Sequence, residues 1–175
     1  VETEVGRVGY GNIAASEVGD LLGGGLDGTE RCVGVVDDHE WLARQRRVSF
    51  ARVGVIEPTD LAAYREHGGL RGLERALALT PDAVVAEVTA SGLRGRGGAG
   101  FPAGTKWETV RTAPAGVRFV CCNADEGDSG TFADRLLMEA DPFCLLEGMT
   151  IAGLATGAEL GIIYLRSEYP DAYRV

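Results

Sequence analysis

The chain has 175 residues, 17 of them lysine or arginine and 26 aspartate or glutamate, for a formal charge of -9. That length suits one domain with a sizeable core, and the charge repels phosphate backbones and anionic headgroups, so a nucleic-acid or membrane-surface role needs a local basic patch. No apolar run approaches the roughly 20 residues of a bilayer span, no signal peptide is visible, and Cys32, Cys121, Cys122 and Cys144 show neither a C-x-x-C pair nor disulfide-scaffold spacing; a soluble, cytoplasmic protein with reduced thiols is expected.

In chain order, the opening "GRVGYGNIAASEVGDLLGGGL" predicts one short helix, Ala15 to Leu22, stopped by glycines. "RCVGVV" from Arg31 and "FARVGVI" from Phe50 read as short strands, the second ended by Pro58. Between them, "DDHEWLARQRR" is a charged helical or loop segment whose Arg44, Arg46 and Arg47 form a solvated face. Helices follow from Thr59 to His67, Leu70 to Leu77 and Thr80 to Ala90. In the last, Thr80 is the cap, Pro81 suits the first turn and Asp82 opposes the positive end of the dipole.

Beyond a glycine-dense loop, "WETVRTA" predicts a helix, "VRFVCC" a buried strand with both cysteines as small core residues, Pro142 to Thr156 a core helix, and "GIIYLRSEY" a final buried strand. The chain ends in "SEYPDAYRV", where Pro170 begins another helix, and it starts on Val1, so a piece of a longer polypeptide is expected. Strands alternating with helices argue for an α/β layer with a partly parallel sheet.

The loop "SGLRGRGGAGFPAGTKW" satisfies G-x-G-x-x-G at residues 95 to 100, but the segment before it has helical rather than strand character, as a Rossmann fingerprint would not. A Walker loop also fails, because Thr105 separates Gly104 from Lys106, which disfavours a phosphotransferase. The loop is nonetheless competent for a phosphorylated, ring-bearing ligand. Its glycines let backbone amides converge on an anion, Arg94, Arg96 and Lys106 can neutralise a phosphate, and Phe101 and Trp107 can stack on a planar ring.

A second cluster, "NADEGDSGTFADR", falls where a strand ends, the ligand-facing edge of an open α/β sheet. Asn123 and Asp125 can bond polyol hydroxyls or a ring imide, and Glu126 and Asp128 add acceptors. The calcium pattern D-x-[DN]-x-[DN]-G is not met. The third, "IYLRSEYP", offers Tyr164, Arg166 and Glu168.

Taken together and in this order, "GLRGRGGAGFPAGTKW", "NADEGDSGTFADRLLMEADPF" with "EGMTIAG", and "IIYLRSEYP" closely resemble the family of FMN- and NADH-binding subunits: the 51-kDa-type subunit of respiratory complex I, the diaphorase subunit of NAD-linked hydrogenases and the beta subunit of NAD-dependent formate dehydrogenases. "NADEGDSGTF" and "YLRSEYP" look most like the formate dehydrogenase branch. The resemblance implies a Rossmann-like flavin-binding domain, truncated, with residues 31–175 its N-terminal part and residues 1–30 the remnant of a thioredoxin-like iron-sulfur domain and linker.

It further implies FMN held by Gly95, Arg96, Gly97, Gly98, Lys106, Asn123, Asp125, Glu126, Tyr164, Ser167 and Glu168, with Lys106 at the phosphate. NAD(H) would meet Gly98, Ala99, Phe101 and Asp128. Catalysis would be carried by the flavin, with hydride exchange between NAD(H) and FMN, and single electrons passing to iron-sulfur clusters ligated elsewhere in the full-length chain. The partners implied are NAD(H) and the other subunits of a formate dehydrogenase or related redox complex, with no nucleic acid and no membrane insertion. A hydrogenase diaphorase or NADH:quinone oxidoreductase subunit is the alternative, and a non-redox nucleotide-binding or scaffold module a further one.

Overall fold

The computed structural model describes residues 1–4, 6–23, 31–114 and 116–175. The chain divides into two compact units, Val1–Val48 and Ser49–Val175.

In the first unit, β1 (Glu2–Thr3), β2 (Gly6–Tyr10) and β3 (Cys32–Val35) form an antiparallel sheet in that order. The register shifts between Gly9 and Tyr10. β3 coincides with the expected strand from Arg31, whereas β1 and β2 gave no signal, since alternating glycines depress strand propensity in "GRVGY". Because β3 pairs with β2, this unit continues past residue 30 to Val48. The short helix α1 (Val18–Leu22), preceded by a 3-10 turn at Ala15–Glu17, matches the expected helix; residues 24–30 of its glycine cluster and the adjoining linker lie outside the described residues. Another 3-10 turn, Val36–Asp38, leads into α2 (Glu40–Ala43).

The second unit opens with turns, not with the strand expected at Phe50–Ile56. Gly54 takes φ 73, Val53 is buried, and Arg52 turns its guanidinium to the carboxylate of Asp141 at 2.9 Å, a geometry that a regular strand cannot provide. Next come α3 (Leu61–Glu66), capped by Asp60 accepting from the amides of Ala62 and Ala63, and α4 (Arg71–Leu77). Helix α5 (Pro81–Ala90) is capped as its sequence dictates, with the Thr80 hydroxyl accepting from the Ala83 amide. Helix α6 (Ala103–Thr112) starts four residues before the expected Trp107, so Lys106 belongs to its first turn. Gly104 is obligatory there, because a Cβ would collide with Thr89 of α5.

Then β4 (Phe119–Ala124) leads through α7 (Ala133–Ala140) and α8 (Pro142–Thr156) to β5 (Leu160–Leu165), which pairs parallel with β4, and the chain ends in α9 (Pro170–Arg174). This is the α/β layer expected: a parallel pair joined by a helical crossover. Helix α8 runs from Pro142 in its first turn to a left-handed Gly157 that stops it. Two apolar clusters hold the unit. Ala76, Val84, Val85 and Ala155 pack with Leu79, Trp107 and Ile151, and Ala124, Met138 and Tyr169 pack with Cys122, Leu145, Leu165 and Ala172; each fully buried valine or methionine contributes roughly 1.5–3 kcal/mol.

Residues of β4 and β5 alternate between two faces. One face, with Cys122, Ala124 and Leu165, packs into the second cluster. On the other, Phe119, Cys121, Leu160, Ile162 and Tyr164 are exposed. The expectation of two buried strands with both cysteines in the core is therefore corrected: a continuous apolar run was read as covered on both faces, but only one face of this pair is covered. Among the described residues no helix is long and apolar enough to cross a membrane.

Candidate functional site

The glycine loop leaves the end of α5 and re-enters regular structure at α6. Its base is closed by the Gly95 amide donating to the Phe101 carbonyl (2.8 Å) and the Ala103 amide to the Leu93 carbonyl (2.9 Å). Arg94 completes the closure, donating from Nη1 to the Gly100 carbonyl at 2.9 Å. Arg94 therefore pins the loop with one of its N–H groups. Within the closed loop Gly98 and Gly100 take φ 94 and 59, and a Cβ at Gly97, Gly98 or Gly100 would meet nothing within 4 Å. The backbone here presents a bare surface that a ligand can approach closely.

At the other wall, β4 ends in an Asx turn: the Asn123 side-chain oxygen accepts from the Asp125 amide at 3.1 Å, leaving its NH2 to offer a ligand. Glu126 follows in the left-handed region, φ 44, with only 9% of its surface exposed. Its carboxylate accepts from the amides of Asp134 (2.7 Å) and Arg135 (3.1 Å), the open N-terminus of α7, and from the Tyr169 hydroxyl (2.8 Å). Burial pushes this carboxyl up, yet those amides and the hydroxyl outweigh it and hold it below the usual carboxylate range. The neighbouring Asp134 carboxyl is pushed up by burial and by Glu126.

Between the walls lies a cleft of ≈ 590 Å³ lined by Arg96, Gly97, Asn123 and the residues from Asp125 to Asp128, closed by Thr131, Ala133 and Asp134. The volume is that of a cofactor-sized site. Of the residues expected at the site, Arg96, Gly97, Asn123, Asp125, Glu126 and Asp128 meet here. Gly95, Gly98, Ala99 and Phe101 stand on the rest of the loop, Phe101 being 52% exposed. Lys106 is exposed on α6. Arg96 and Lys106 make no ion pair among the described residues.

Tyr164, 65% exposed, is the ladder partner of Asn123, so both side chains leave the sheet on one face. The Glu168 carboxylate is taken by Arg166 (3.1 Å) and the Ser167 hydroxyl (3.2 Å), and the Arg166 bond chiefly depresses it to about 2. Trp107, expected to stack on a ligand ring, instead packs in the apolar cluster beneath α5. Sequence reasoning did not foresee Arg166 and Tyr169 as supports of the Glu126 turn. No local pattern marks them, because the Tyr169–Glu126 bond joins positions 43 apart.

An anionic end directed at Arg96 and the bare loop, with hydroxyls donating to Asp125 and Asp128, describes the ligand this donor set suits. FMN fits both: it carries a phosphate and a polyol. Among the described residues no group of three or more His, Cys, Asp or Glu is arranged to hold a metal ion.

The family model described as the Nuo51 FMN-binding domain matches residues 88–175, from the last turn of α5 through the loop, the cleft and β5 to α9. The chain is 50% identical over 128 residues to an NADH-quinone oxidoreductase subunit of Rhizobium meliloti, covering 73% of this chain and 30% of that protein. It is 44% identical over 131 residues to the NADP-reducing hydrogenase subunit HndC of Solidesulfovibrio fructosivorans, covering 75% of this chain and 26% of that one. Among solved structures, the NAD+-reducing [NiFe]-hydrogenase in its H2-reduced state superposes with a TM-score of 0.58 at 44% identity, over 65% of this chain and 20% of that chain. The chain thus spans less than a third of the length of each of these relatives.

Proposed function

Because the chain belongs to the Nuo51 FMN-binding domain family, we propose that it is part of the flavin-bearing subunit of a multisubunit NAD(H)-dependent oxidoreductase, of the NADH-quinone oxidoreductase or NAD-reducing hydrogenase type. The observation that carries this reading is the cleft in which Arg96 and Gly97 of the glycine loop face the turn from Asn123 to Asp128. Bound FMN would supply hydride exchange with the nicotinamide and the conversion of two-electron to one-electron traffic.

The chain's own part is to hold and orient. Arg96 in the cleft and Lys106, exposed on α6, attract the phosphate. The Asn123 amide and the carboxylate of Asp125 take the polyol and ring edge, while Asp128, with Phe101 and Ala99 on the exposed side of the loop, receives the dinucleotide. Tyr164, level with Asn123, adds a wall. Iron-sulfur clusters would be ligated outside the described residues, and residues 1–30 would be the remnant of a thioredoxin-like iron-sulfur domain and linker.

The formate dehydrogenase branch rests only on the spellings "NADEGDSGTF" and "YLRSEYP", whereas the relatives reported above are quinone-linked and hydrogenase subunits. The test is to purify the full-length protein and its complex. A yellow protein that releases FMN on denaturation and reduces ferricyanide with NADH meets the proposal, and a colourless one that takes up no FMN overturns it. Supplying the complex with hydrogen, a quinone or formate in turn identifies the branch.

A further inference from the structure

Glu126 is a non-glycine residue at φ 44, a strained conformation that persists only where its surroundings over-determine it. Four bonds do so here. Besides the three on its carboxylate, its backbone carbonyl accepts from Arg166 Nη1 at 2.8 Å. Tyr169, the source of the hydroxyl bond, is 4% exposed, and two guanidinium groups lie over its ring, Arg166 at 5.1 Å and Arg135 at 5.5 Å. Burial, then the bond to Glu126, pushes the phenol up, so the hydroxyl remains a donor. Neither Tyr169 nor Arg166 lines the cleft.

We propose that Tyr169, supported by Arg166, is a positioning residue for the flavin site: its hydroxyl fixes Glu126 in the left-handed turn that sets Asp125, Gly127 and Asp128 along the cleft. The proposal rests on the reading of that cleft as the flavin site. Tyr169 touches neither ligand nor reacting atoms and acts through Glu126 alone. An internal control exists, since Tyr64 donates to Glu147 at 2.5 Å in the same manner, and Glu147 accepts from the amides of Leu70 and Leu73 at the start of α4, away from the cleft linings.

The experiment is FMN titration of full-length apoprotein, followed by flavin fluorescence and visible absorption, with melting temperatures measured alongside. Tyr169→Phe keeps the ring and its cation contacts and removes one hydroxyl. It should raise the FMN Kd about tenfold and shift the bound flavin band, whereas Tyr64→Phe should lower the melting temperature comparably and leave Kd within about twofold. In a Glu126→Gln background the further effect of Tyr169→Phe on Kd should fall below about twofold. Equal, small changes in Kd from both tyrosine variants, or effects of Tyr169→Phe and Glu126→Gln that multiply, overturn the proposal. FMN uptake unaffected by Arg96→Ala and Asn123→Ala overturns the assignment of the cleft itself, and the positioning role with it.

Discussion

Two corners of the second unit are built alike and used differently. At each, a glutamate carboxylate accepts the free amides at a helix N-terminus and a tyrosine hydroxyl, with an arginine stacked on the tyrosine ring. Glu147, Tyr64 and Arg52 (4.7 Å from the ring) do this for α4; Glu126, Tyr169 and Arg166 do it for α7. The first corner is a structural joint, drawn tighter by the Arg52–Asp141 ion pair, whose carboxylate is 1% exposed. At the second, the glutamate also faces the cleft. The same set of bonds is thus plain scaffolding in one place and a means of aiming acceptors in another, depending only on what lies beyond the carboxylate.

Removing each glutamate separates the two corners most strongly. Glu126→Ala and Glu147→Ala each strand two helix amides and a buried hydroxyl, so denaturant melts should show losses of about 3–5 kcal/mol for both. Only Glu126→Ala should also empty the protein of FMN under conditions where it stays folded. Next, Arg52→Ala leaves Asp141 without its cation, and Asp141 Oδ1 already lacks a hydrogen-bond partner. Equilibrium unfolding should register a loss of about 3 kcal/mol, with FMN affinity unmoved.

A smaller and opposite pattern is expected on the loop. Arg96→Ala and Lys106→Ala should each weaken FMN binding by about 1.5–3 kcal/mol through the lost charged contact, flatten its salt dependence, and barely alter the melting temperature; unchanged flavin content after dialysis removes that residue from the site. The mildest effect is on the acid limb. Both glutamates are held below the ordinary carboxylate value in the folded state, so the stability they contribute is present above that value and is lost as pH falls from it through their depressed native values. Glu126→Gln and Glu147→Gln should each flatten this limb in pH-dependent melts, and a limb of unaltered slope would refute the assignment.

Where local rules carry the information, the fold was legible. Thr80 with Pro81 marks α5, and Pro142 with Gly157 bounds α8, because caps and stops are encoded within a few residues. Residues 50–56 misled because their apolar run is diverted by two distant demands: Arg52 reaches Asp141, 89 positions away, and Val53 enters the core. The exposure of Ile162 and Tyr164 was also hidden, since a run such as "LGIIYL" does not say how many of its faces are covered. In the cleft, Arg96 and the Asn123–Asp128 turn were readable from chemistry alone, while the Arg94 closure and the Tyr169 support depend on a folded loop and a long-range contact.

The decisive experiment is a structure of the full-length protein bound to FMN. The cofactor should lie between the 95–101 loop and the turn from Asn123 to Asp128, its phosphate on the Arg96 and Lys106 side. Density for FMN at a place touching neither the 95–101 loop nor the Asn123–Asp128 turn would overturn the assignment of the cleft.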